Sequence, residues 1–403
     1  MAVAVVILVI TLSAVGASAA PTGLALEWRV IMDENPPPGF TPVLIGPLAG
    51  GRYIAVIGVS SQAHTWLYLV DAATQNVARK IDLGPGKPLC ASRQDASLSI
   101  LMDMGRGKIE EKVVTPDLHI IEGISTAINT PVILSGCSKL GNNYLVYGSQ
   151  VTNSTGLDAY AALVNQGGIV TTEISWSGPA DEAIYLVAPV NNSSAYAVVS
   201  NLSSPKNYTI YFLKIINNKI INIFIKNINN ITIYDISYNK SLLLVGSLTP
   251  TNPVILIIDN NHKLKLMRLP HESRILSVAG YDYPYAYLTG IKINTTTMLL
   301  NGLSIIVNIL NDKIIASDIA IGKNNVTLSA SMVIGDHLYV AGMHGDTPIL
   351  LSYIIEYSAS PARTAESPVP GGALRGEMLL YVGLLLLLAM GVLAVLVYVR
   401  RKR

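Results

Sequence analysis

The chain is poor in most of the residues from which protein chemistry is usually built. Its 403 residues include two cysteines, six histidines, three phenylalanines and three tryptophans, and only 13% are charged. Two cysteines exclude a thiolate zinc site and any dense disulfide framework. The histidines (His64, His119, His262, His271, His337 and His344) stand at no metal-ligand spacing, and His344-Gly345-Asp346 reads as a loop after a strand. A phosphate-binding glycine loop, a Gly-x-Ser-x-Gly elbow and a His-Glu-x-x-His pair are all missing. Trp28, Trp66 and Trp176 fall on or near the outer strands derived below, too little aromatic surface for a planar quinone cofactor. The net charge is +2, and Arg400, Arg401, Lys402 and Arg403 supply four of the positive charges. The remainder carries 24 basic against 26 acidic residues. That balance gives no basic face for nucleic acid.

Long apolar runs are confined to the two ends. Met378 to Val399 is 22 residues without a charge, reaching roughly 33 Å as a helix, enough to cross a bilayer. Tyr381 and Tyr398 fall near its limits, and the basic cluster follows at once. Basic residues beside a span stay cytoplasmic, so the bulk of the chain is expected outside. Residues 2–15 form an apolar stretch of signal-peptide length, with Ala17-Ser18-Ala19 offering small residues for cleavage near Ala19 or Ala20. An uncleaved anchor is the alternative, since no basic residue precedes the stretch. The expected order is a signal peptide (1–19), an ectodomain (20–358), a Pro/Gly stalk (359–377), a transmembrane helix (378–399) and a basic tail (400–403). A cleaved sorting signal exchanged for a lipid anchor would also fit the C-terminal pattern.

Between these ends no amphipathic helix is evident. Short runs of Val, Ile, Leu and Tyr alternate with Gly, Asn and Asp clusters from about residue 24 to 357. One run recurs: YIAVIG (53–58), SILMD (99–103), YLVYG (144–148), YAVVS (196–200), LLLVG (242–246), AYLTG (286–290) and LYVAG (338–342). Their last residues lie 45, 45, 52, 46, 44 and 52 apart. A strand-built period of that size is the mark of propeller blades, each a four-stranded sheet. Hairpin signals precede each run, among them Gly50-Gly51, Asn191-Asn192 and Gly335-Asp336. A second set follows, as at Asn217-Asn218-Lys219 and Asn260-Asn261-His262, but residues 88–130 lack a clean second turn. The expected fold is therefore all-β: a seven-bladed propeller ectodomain, six or eight blades being the variants, with one C-terminal transmembrane helix. The seventh unit stops after its third strand (348–358), and the segment 24–32 is expected to supply the fourth and close the ring.

Residues 66–104 carry an apolar-Val70-Asp71 step, an Ala73-Thr74-Gln75-Asn76 turn, a strand from Val77 to Leu83 and Gly84-Pro85-Gly86-Lys87-Pro88. This unit resembles the YVTN-type β-propeller repeat of surface-layer and other secreted proteins. The resemblance covers about one repeat. It implies the fold and an extracytoplasmic home, and brings no catalytic residues.

Topology orients the parts. A chain leaving after a third strand exits on the face carrying the tight hairpins, so that face is expected toward the membrane and the longer loops away from it. Nine Asn-x-Ser/Thr sequons suit a glycosylated exterior. Asn153, Asn201, Asn207, Asn230, Asn294 and Asn325 map to the loop face, and Asn191, Asn192 and Asn239 to the hairpin turns. Cys90 and Cys137 fall on innermost strands of adjacent units, where a disulfide or two small buried side chains would both fit. Loops entering first strands hold Lys87, Asp181, Glu182, His271, Glu272 and Arg274, a polar rim at the channel mouth that could take a ligand. No cofactor is expected, a divalent cation at that mouth being the one left open. The functional expectation is a non-enzymatic binding or scaffolding module of the cell envelope, with an envelope protein or glycan as partner. The alternatives are a lactonase-like hydrolase with a metal in the channel and a receptor subunit of a transporter.

Overall fold

The computed structural model describes residues 20–152, 156–176, 181–217 and 219–358. The signal peptide, the stalk, the span at 378–399, the basic tail and Asn153 lie outside them. Among the described residues, no helix is long and apolar enough to cross a membrane.

Residues 21–357 form seven four-stranded antiparallel sheets arranged as blades. Blades one to six occupy residues 41–85, 87–127, 132–176, 182–228, 232–268 and 273–320, and their strands pair in sequence order. Blade seven is built from 326–334, 337–344 and Thr347–Tyr357, with Pro21–Ile31 paired against the last of these as its fourth strand. That register runs from Pro21 opposite Tyr357 to Ile31 opposite Ile349. The ring is thus closed by its own N-terminal strand, three residues longer upstream than the expected segment. Blade two is complete: its second hairpin turns at Thr115 to His119, where Leu118 has φ 67° and Thr115 N donates to His119 O at 2.9 Å. Its third strand is masked in the sequence by Lys108, Glu110, Glu111 and Lys112. Glu111 is nevertheless buried, accepting hydrogen bonds from Ser99, from Tyr144 at 2.8 Å and from the Ile124 N–H at 3.2 Å.

The core is not one mass but seven, one between each pair of neighbouring blades. Strand periodicity explains this, since successive side chains point to opposite faces and both faces of a blade are covered. Ile54 and Val56 pack toward blade seven, while Ala55 and Ile57 pack toward blade two. Leu242 and Leu244 face blade four, and Leu243 and Val245 face blade six. Second strands therefore read as unbroken apolar runs, which is why these runs betray the repeat. Fourth strands have a solvated side and read as weak alternation.

Every first strand carries a β-bulge at the same level, which skips Val43, Leu89, Ser135, Tyr185, Tyr234, Leu276 and Ser329 in blades one to seven. The residue before each bulge pairs with Gly58, Met102, Gly148, Val199, Gly246, Gly290 and Gly342, respectively. These are the true equivalents, so the repeat anchors move by one residue in blades two and four, from 103 to Met102 and from 200 to Val199. Five of the seven are glycine for a steric reason. A Cβ there would collide with a first-strand carbonyl oxygen: that of Thr41, Ile133, Thr232, Arg274 or Thr327. Replacing Gly342 by alanine is expected to cost about 2 kcal/mol or more, read as a lowered midpoint in urea unfolding.

Candidate functional site

The bulges define the axial channel. Residues at and just after them, from all seven first strands, line a cavity of about 510 Å³. Its wall is mostly aliphatic and hydroxylic, with Leu44, Leu276 and Met332 beside Ser135, Ser277 and Ser331. Among the described lining residues, Asp235 is the one acidic or basic side chain. Its carboxylate ties two blades together, accepting from the Ile236 N–H at 2.8 Å and from the Val278 N–H of blade six at 2.7 Å. Its side chain is half-buried in the cavity wall. Burial pushes its pKa up to about 6, against the opposing pull of these two N–H groups and of Ser277.

Tyr185 and Tyr234 occupy the bulge positions of blades four and five. The Tyr234 hydroxyl shares a 2.9 Å hydrogen bond with Ser247. Arg274 reaches from blade six to lie over the Tyr234 ring, its guanidinium carbon 4.4 Å from the centroid, an arrangement favoured by the ring quadrupole. The buried Arg274 Nε has no hydrogen-bond partner. Burial raises the Tyr185 pKa, Asp235 and Tyr234 add to the rise, and Arg274 opposes it.

The six rim residues spread over blades two, four and six. Lys87 opens the first strand of blade two and is exposed. Asp181 fastens a loop: its carboxylate accepts from Leu157 N at 2.9 Å. Glu182 opens the first strand of blade four and is half-buried. His271 turns toward blade five, bonding Asn252 beside a small apolar cavity lined by Leu248, Pro253 and Val254. Glu272 is exposed at φ 67°, its backbone bonded to Thr251 and Ile293. Arg274 reaches a channel-lining side chain, Tyr234. Among the described residues, no three His, Cys, Asp or Glu side chains are grouped to hold a metal ion.

Cys90 and Cys137, both lining the channel, form a disulfide with Cα atoms 5.3 Å apart. It joins the first strands of blades two and three across 47 residues of sequence. Among the sequons, Asn191, Asn192, Asn230 and Asn325 are exposed. Asn239 is engaged, donating through Nδ2 to the Tyr281 carbonyl at 3.1 Å, while its partner Ser241 is buried against the Tyr281 hydroxyl.

Asp235, Tyr185 and Tyr234 went unnoticed in the sequence. Alternation breaks at a bulge, so an Asp in an apolar strand cannot be assigned a facing direction from spacing alone. Aligning first strands backward from the anchor glycines would have marked the two tyrosines. No protein-family model matches the chain, and no curated protein is significantly similar to it.

Two outcomes are expected. A folded-state pKa near 6 against 3.8 unfolded means that the folded ring holds the Asp235 proton more tightly. Its contribution to stability should fall by about 3 kcal/mol as pH rises from about 4 to above 6. Asp235→Asn should abolish that fall in urea titrations across the range. Removing the disulfide by Cys90→Ala with Cys137→Ala should cost about 4 kcal/mol by loop entropy, seen as a lower unfolding midpoint.

Proposed function

We propose that this protein is a divergent YVTN-type propeller serving as a non-enzymatic binding or scaffolding module of the cell envelope. It is tethered to the cell membrane by the span at 378–399, with the ring outside, and it engages envelope proteins or glycans. The observation that carries this is the closure of the ring by its own first strand. Closure makes seven blades into one body whose two ends meet at Pro21 and Tyr357 on the hairpin face. Longer connections, such as 202–207 and 294–299, gather on the other face, where loops on a rigid scaffold are placed to bind.

The Cys90–Cys137 bridge supports an oxidising compartment. The exposed sequons support a glycosylated exterior. Fractionation of cells expressing the full chain tests the proposal. The protein should resist carbonate extraction from membranes, and an impermeant amine label added to intact cells should modify the ring. Recovery in the soluble fraction, or labelling only after lysis, overturns it. Crosslinking before solubilisation should then capture an envelope partner.

A further inference from the structure

The channel mouth holds a cation with no ion-pair partner among the described residues. At the level of the seven first strands two residues before the bulge, Lys87 and Arg274 are charged and the others are threonine, alanine or isoleucine. Arg274 is fixed rather than free. Its guanidinium lies 4.4 Å from the centroid of Tyr234, and Tyr234 is held in turn by Ser247. Among the described residues no acid pairs with Arg274, and its Nε is sealed from solvent without an acceptor. A planar fork of donors held by stacking is organised for a flat, two-oxygen anion, and it loses little freedom on binding one.

Two neighbours narrow the choice. Tyr185 is 43% exposed. It occupies in blade four the bulge position that Tyr234, the ring under Arg274, occupies in blade five. Asp235 is the one acidic or basic side chain among the described residues lining the cavity below. A ligand with negative charge at its far end would meet that carboxylate, and like charges brought together in a confined channel repel. The aliphatic and hydroxylic wall suits an uncharged body, and about 510 Å³ falls within the range of small-molecule sites.

We propose that the channel mouth binds a small organic monocarboxylate. Arg274 takes the carboxylate as a fork, Tyr185 donates a further hydrogen bond to it, and the uncharged body descends into the channel. Asp235 excludes dianions. The proposal rests on the binding-module reading for its premise that the channel receives a ligand.

Titration calorimetry on the full-length protein in detergent, with benzoate, benzamide and terephthalate, tests it. Benzoate should bind at millimolar concentration or below. Benzamide, which lacks the charge, should bind at least about tenfold more weakly, the worth of one charge-assisted contact. Terephthalate should also bind at least about tenfold more weakly, and should recover in Asp235→Asn. Arg274→Gln should lose benzoate by about tenfold or more, and Tyr185→Phe should weaken it without loss of fold by near-ultraviolet dichroism. Equal affinity for benzoate and benzamide, terephthalate binding as well as benzoate, or no heat from any of the three overturns the proposal. The wild-type comparison needs no variant to fold. Failure here leaves membrane fractionation and partner capture untouched, so the two readings fail separately.

Discussion

Everything in this ring depends on one pairing, that of Pro21–Ile31 with Thr347–Tyr357. Each blade is apolar on both faces and has no core of its own. Seven blades need seven interfaces, and a ring supplies seven where an open row would supply six. The closing strand also contributes packing: Trp28 and Val30 belong to the cluster between blades seven and one. Closure therefore buries the last apolar face and covers the last inner sheet edge in one step. The pairing joins residues more than three hundred positions apart, so the entropy of closing the chain is met late and by many contacts at once.

Inside that frame the repeated bulge sets the channel. An extra residue in a strand bends it and sharpens its twist. Here the bend draws the backbone of each first strand against its second strand, which is why glycine recurs opposite it. It also turns seven consecutive steps of sequence toward the axis. Most are small or apolar. Tyr185, Tyr234 and Asp235 are the departures, and with Arg274 they fall in one sector, blades four to six. The chemical asymmetry of a nearly symmetric ring is concentrated there.

Asp235 has two roles that need not conflict. Its oxygens satisfy backbone N–H groups in two blades, so it holds the sector together. Its position in the channel wall places a negative charge below the mouth once it is ionised. A structural carboxylate can in this way set which charges a neighbouring site accepts.

The sequence by itself determined the blade count, the four-stranded unit and the origin of the closing strand. It could do so because second strands are covered on both faces and read as uninterrupted apolar runs such as Ile54–Ile57 and Leu242–Val245. Those signals are local and repeat at a fixed period. Blade two was hardest to read because Glu111 stands where its neighbours carry apolar side chains, and hydrogen bonds from Ser99 and Ile124 in its own blade and from Tyr144 in blade three make its burial tolerable. Tertiary structure alone decided the bulge register, the partition of the six rim residues, the Cys90–Cys137 bond and the meeting of Arg274 with Tyr234. Each depends on which strand lies beside which, and on a one-residue slip that spacing along a chain does not record.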